Sequence, residues 1–215
     1  MDAKTVIAIR AGQEFANGNH VNLGIGIPTL IANHLPPGVN VIFHSENGFL
    51  GIGPAPEKGS EDRDIVNAGG MPVSILPGGA TFDSAMSFAI IRGGHLDITV
   101  LGALQVDEEA NLANWIVPGK KVPGMGGAMD LVAGAKRVII AMEHTARGQA
   151  KIVPRCTLPL TATRAVHMIV TNLAVFRFLP ALTLTELAPG VSEETVRQHT
   201  TAHYAISPDL KTMPI

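Results

Sequence analysis

The sequence predicts an α/β fold, an open and mostly parallel sheet flanked by helices, with residues 1–215 forming a single domain. Short apolar runs rich in β-branched residues, at 39–44, 96–106 and 137–142, alternate with segments of helical period, as βαβ units require. Glycine and proline clusters punctuate the runs, and no linker, repeat or low-complexity stretch divides the chain. The 215 residues are 46% hydrophobic and 16% charged, with a mean hydropathy of +0.26. That supplies a core on two sheet faces and leaves little charge for a monomer's surface. Burial of apolar surface against other subunits accounts for the shortfall, and so does a very completely buried monomer.

Residues 4–16 place Val6, Ile7, Ile9 and Phe15 among Lys4, Arg10 and Glu14, an amphipathic helix that Gly18 ends. His20–Leu23 reads as a short strand entering the turn Gly24-Ile25-Gly26. Pro28 suits the first turn of a helix running to about Leu35, where Pro36-Pro37-Gly38 stops it. Val39–His44 is a strand, 51–64 a loop rich in glycine, proline and charge, and Pro72–Leu76 another strand. Asp83 caps a helix through Arg92, ended by Gly93-Gly94. Leu96–Val106 is one long buried strand. Gly124–Gly127 is a glycine loop feeding a short helix at 128–135, and Arg137–Met142 is a buried strand. Val166–Phe178 and Leu182–Leu187 are β-like, and Ser192 caps a closing helix to about His199. The last 35 or so residues carry no functional signal.

Composition excludes several functions. The formal net charge is −2, with acids and bases mixed along the chain, and the aromatics are seven Phe, one Trp and one Tyr. Neither a basic face nor a base-stacking platform is present, so no nucleic-acid partner is expected. No run approaches the roughly 20 apolar residues of a membrane span, and no apolar signal core follows Met1-Asp2-Ala3-Lys4. A cytoplasmic protein without membrane contact is expected. Cys156, the one cysteine, sits in a proline-flanked loop without a neighbouring histidine, as a structural residue would.

Known nucleotide and hydrolase motifs are missing. Gly24-Ile25-Gly26 fails the dinucleotide pattern because Thr29 stands where its third glycine belongs, and Pro28 removes an N–H. There is no phosphate-binding G-x-x-x-x-G-K-[ST] and no G-x-S-x-G elbow. The eight histidines are scattered. Only His199 and His203 are four apart, without a glutamate after the first, which reads as one face of a surface helix, so no metal site is expected.

Two places remain. Glu46 directly follows a predicted buried strand and opens the turn Glu46-Asn47-Gly48, where open α/β sheets place their sites. A carboxylate there can act as base, metal ligand or nucleophile, or it can satisfy loop N–H groups. His44, two residues earlier, points the same way and either orients the site or packs. The second place is Gly124-Met125-Gly126-Gly127-Ala128. Its glycines lead into a helix, and its N–H groups would cradle an oxyanion or merely make a tight turn.

Ser45-Glu46-Asn47-Gly48, with residues 78–94 and 101–129, resembles the β subunits of family I 3-oxoacid coenzyme A-transferases. The likeness runs strongly from Asn22 to about Phe178. Acetate/acetoacetate, 3-oxoadipate and succinate–acetoacetate types share this signature. The resemblance implies that Glu46 is the nucleophile, that Asn22 lies at the site, and that Gly127 and Ala128 hold the thioester oxygen. Asn47, Gly48 and Gly126 would be supporting loop residues. It also implies an α subunit, an α2β2 assembly, and coenzyme A as substrate carrier with no other cofactor. Two rivals are a sugar-phosphate isomerase-like domain, whose phosphate and acid/base sets are not found, and a subunit that has lost catalysis, against which the intact motifs weigh.

Overall fold

The computed structural model describes residues 1–119 and 125–215. Along them run α1 (Ala3–Gly12), β1 (His20–Leu23), α2 (Ile27–Leu30), β2 (Ile42–Ser45), β3 (Phe49–Ile52), β4 (Ile75–Thr81), α3 (Ser84–Arg92), β5 (Ile98–Leu101), β6 (Gln105–Asp107) and β7 (Leu112–Ala113). There follow α4 (Ala128–Gly134), β8 (Arg137–Ala141), β9 (Thr145–Ala146), β10 (Gln149–Ala150), β11 (Ile152–Val153), β12 (Met168–Val170), β13 (Ala174–Phe178), β14 (Leu182–Leu187), α5 (Glu193–His199) and β15 (Ala205–Thr212).

The main sheet has ten strands in the order β15-β14-β13-β12-β8-β5-β1-β2-β3-β4. Its centre, β12-β8-β5-β1-β2, is parallel throughout. Antiparallel hairpins flank the centre, β2-β3-β4 on one side and β12-β13-β14 on the other, and β15 adds in parallel to β14. Central strands must be apolar on both faces, and alternation divides them. Ile139 and Ala141 join Ile7, Ala8 and Ala11 of α1 in one core, while Val138 and Ile140 join Ile91, Leu131 and Val196 of α3, α4 and α5 in the other.

Helices start where the sequence supplies caps. The Asp83 carboxylate accepts from the Met86 N–H, and Ser192 Oγ accepts from the Thr195 N–H. α3 and α4 pack closely because Gly134 has no side chain, since a Cβ there would stand 2.0 Å from the Ile91 carbonyl oxygen. Arg92 fastens the pair from outside by bonding Asp130 at 2.7 Å.

Six expectations need correction. The run 96–106 is two strands, β5 in the main sheet and β6 in a small sheet with β7 and β11, because the chain turns at Gly102-Ala103-Leu104. The run 166–178 is likewise a hairpin of β12 and β13. The first helix stops at Gly12, and the helix at Pro28 is one turn continued by a 3-10 turn at Ile31–Asn33. His203 is not on the face of a helix with His199: α5 ends at His199, and His203 pairs with Glu108 at 2.9 Å. Part of the expected 51–64 loop is the end of β3, and β15 had no sequence expectation at all.

Candidate active site

The site is built at the carboxyl ends of β1 and β2. These strands are parallel neighbours with Asn22 opposite His44, so both side chains leave the sheet on the α3 face. Glu46 follows β2 and opens the turn into β3. The fully buried Asn22 side chain reaches it, and Nδ2 donates to Glu46 Oε2 at 3.1 Å. The same Nδ2 lies 3.3 Å from the His44 carbonyl oxygen and 3.3 Å from His44 Nδ1. Two of these, the Glu46 carboxylate and the His44 carbonyl, can only accept, and they fix the amide's orientation, because a flipped amide would point its oxygen at both.

That orientation settles the tautomer of His44. Nδ1 faces a donor and must accept, so the proton sits on Nε2, which lies 3.0 Å from Ser87 Oγ of α3. Burial first, and the charge of His20 second, push the His44 pKa down to about 4, so the ring is neutral at pH 7. Ser87, His44, Asn22 and Glu46 form one chain of contacts, and the packing reading of His44 gives way to a polar one. Asn22 Oδ1 and Thr99 Oγ1, on paired positions of β1 and β5, are buried without a hydrogen-bond partner among the described residues.

The rest of the turn holds Glu46 in place. Ser45 Oγ accepts from the Ala68 N–H at 3.0 Å, and Asn47 Nδ2 donates to the Val66 carbonyl at 2.7 Å, tying the segment 65–73 to both sides of Glu46. Gly48 has φ +128°, and a Cβ there would meet the Phe82 carbonyl oxygen at 2.1 Å, so no other residue fits. Among the described residues no backbone N–H donates to the Glu46 carboxylate.

Gly127 closes the other side. A Cβ on it would stand 3.5 Å from Glu46 Cγ and 3.3 Å from Phe88 Cζ, so its backbone lies against the carboxylate stem. Gly126 takes φ +54°, and Ala128, first residue of α4, donates to the Met125 carbonyl at 3.4 Å, a long bond. Gly124, the first glycine of the expected loop, lies outside the described residues. On the same sheet edge as Glu46, over the carboxyl ends of β1, β5 and β8, opens a cleft of about 300 Å³ lined by Ile25, Ile27, Ala103, Met142, Glu143 and Lys151 among others. Sequence reasoning missed Lys151 and Ser87, whose place depends on contacts remote in sequence.

Cys156 is elsewhere and inert. Burial, followed by the charge and hydrogen bond of Asp107, pushes its thiol up to about 12. Among the described residues no cluster of three or more His, Cys, Asp or Glu could hold a metal ion, and no helix is long and apolar enough to cross a membrane.

A sheet of this order, with a carboxylate placed at the end of a central strand beside a glycine loop, has a match among known proteins. The coenzyme A transferase family profile matches residues 4–199, and the chain belongs to that family. Its full-length bacterial relatives are single subunits of such transferases. It is 62% identical over 214 residues to the beta subunit of the acetate CoA-transferase of Escherichia coli, covering 99% of this chain and 98% of that one. It is 52% identical over 208 residues to one subunit of the probable succinyl-CoA:3-ketoacid coenzyme A transferase of Bacillus subtilis, covering 96% of each. Among solved structures, the acyl-CoA transferase YdiF of Escherichia coli superposes with a TM-score of 0.77 at 24% identity. The alignment covers 99% of this chain and 43% of that one, and at this identity it speaks for the fold alone.

Proposed function

We propose that this chain, with an α subunit in an α2β2 assembly, moves coenzyme A between short-chain (3-oxo)acyl thioesters and free carboxylic acids, with Glu46 as nucleophile. The observation that carries this reading is the Glu46 carboxylate held by the Asn22 amide against Gly127 at the carboxyl end of β2. One oxygen is fixed by a neutral donor, and among the described residues no cation pairs with it.

In the first step a Glu46 oxygen attacks the thioester carbonyl. The C–S bond breaks, giving an acyl-glutamyl anhydride and a coenzyme A thiolate. The thiolate then attacks the glutamyl carbonyl, forming a glutamyl-CoA thioester and releasing the acid as its carboxylate. A second carboxylate reverses both steps and leaves as the new thioester, so kinetics are ping-pong and no ATP is consumed. Backbone N–H groups of Gly127 and Ala128 would receive the developing oxyanion, each contributing about 3–4 kcal/mol as in other acyl-transfer sites. Carboxylates are weak nucleophiles, so positioning by the coenzyme A moiety must supply much of the rate.

The α subunit is supported by the beta designation of the Escherichia coli relative and by the apolar rim of the site. Ile25, Met71, Met86 and Met125 are between 43% and 69% exposed around the Glu46 turn, where a partner would cover them. Acetate and acetoacetate are the first acids to try, in line with the Escherichia coli relative. Succinate, named for the Bacillus subtilis relative, and 3-oxoadipate come second. Such substrates suit a cytoplasmic enzyme, with coenzyme A the carrier and no further cofactor.

The test is peptide mass spectrometry on the α–β complex after acetoacetyl-CoA without acceptor acid, with borohydride to reduce any glutamyl thioester. A mass change confined to the peptide holding Glu46 is expected. An unmodified Glu46 in a complex that still consumes the thioester would overturn the covalent mechanism.

A further inference from the structure

The cleft over the carboxyl ends of β1, β5 and β8, on the sheet edge that carries Glu46, holds a charge that the chemistry above does not use. Among its described lining residues only Glu143 and Lys151 titrate, and the rest is mainly apolar. Lys151 lies between β10 and β11 on a fixed backbone. Its N–H donates to the His144 carbonyl at 3.4 Å and its carbonyl accepts from the Val106 N–H at 2.9 Å. The side chain is half-buried, and among the described residues its ammonium has no hydrogen-bond acceptor and no carboxylate at ion-pair distance. Burial lowers its pKa to about 8, with Glu143 pulling weakly the other way from an exposed position. A sheltered, unpaired ammonium facing an apolar cleft is unfavourable in the empty protein, and an anion in the cleft would relieve it.

We propose that Lys151 is the anion anchor of this cleft, binding a phosphate or a distal carboxylate of a substrate whose reacting end lies at Glu46. The inference rests on the transferase reading. Lys151 is joined through its backbone to His144, just past the end of β8, and the sheet order puts β8 three strands from β2, about 14 Å at roughly 4.8 Å per strand. The anion held is therefore remote from the reacting carbonyl, and its binding serves to orient the thioester or acid. Two sources share this chemistry, the phosphates of coenzyme A and the second carboxylate of a dicarboxylic acid such as succinate.

The experiment uses the assembled α–β complex with Lys151→Met, Lys151→Gln and Lys151→Arg. The Met and Gln variants should raise one KM about tenfold or more, the loss expected for a charged hydrogen bond, while Arg keeps it near wild type. If the anion is a coenzyme A phosphate, the defect appears with acetoacetyl-CoA and vanishes with acetoacetyl-pantetheine. If it is a carboxylate, the defect appears with succinate and is absent with acetate. Unchanged KM values for all four substrates, in either neutral variant that assembles, would overturn the anchor. Borohydride labelling keeps the two readings apart. A labelled Glu46 with unchanged KM values removes the anchor alone. An unlabelled wild-type Glu46 removes the covalent mechanism, and calorimetric titration of wild type and Lys151→Met with coenzyme A and with succinate then decides the anchor, which falls if Met binds both as wild type does.

Discussion

At the carboxyl end of β2, Glu46 has, among the described residues, one neutral amide donor. At the opposite end of the parallel strands Glu14 is held by three arginines, with Arg10 at 3.0 Å and Arg137 and Arg177 at 2.7 Å each. Beside it Glu186 takes Arg10 in two bonds of 2.5 and 2.6 Å. Burial alone would raise the pKa of Glu14, but the hydrogen bonds and charges of Arg177, Arg137 and Arg10 outweigh it and hold the group at about 2. A carboxylate that ties α1 to the sheet is saturated with cations. On the proposed mechanism Glu46 attacks a carbonyl, and an oxygen without a countercharge would suit that role, because an ion pair would have to break at each turnover.

The comparison breaks most sharply at Glu46 itself. Glu46→Ala should abolish transfer while thermal melting and assembly remain as in wild type, and near-normal turnover would place the chemistry elsewhere. At the other end the effect should invert. Glu186→Ala leaves the buried Arg10 partly unpaired and should cost about 3–5 kcal/mol by denaturant titration, with kcat per folded complex unchanged. Asn22→Ala removes the one donor on Glu46 among the described residues and should lower kcat/KM by roughly 1.5–3 kcal/mol, about 10- to 100-fold, read in steady-state kinetics. The smallest effect is on acid stability. His44 binds its proton near pH 4 when folded and near 6.5 when unfolded, so its contribution is complete above about 6.5 and is lost as pH falls toward 4. Denaturant titrations should weaken across that window, and His44→Gln should flatten the fall. An unchanged pH slope in that variant would show that the ring titrates normally.

The same contrast explains what could be read beforehand. Glu46, Asn22 and Gly127 sit in short local signals, a strand end, a turn and a glycine run, and the structure brings them together. Caps at Asp83 and Ser192 were equally local. What escaped depends on partners far along the chain. Nothing near Lys151 says that it faces a cleft, and nothing near His44 announces Ser87, 43 residues away. The run 96–106 is apolar throughout, so its change of sheet at Gly102 leaves no trace in periodicity. β4 and β15 were obscured by Pro77, Gly78, Gly79 and Pro208, residues that edge strands tolerate and central strands do not.

The pairing of Asn22 with His44 sets more than sheet geometry. The donor that aims Glu46 stands on a neighbouring rail of the same ladder, and its alignment is inherited from backbone spacing. On the proposed mechanism, rim residues could then change to suit other acids without retuning Glu46. A slip of one residue between the two rails would turn Asn22 to the opposite face and disarm the site at a stroke.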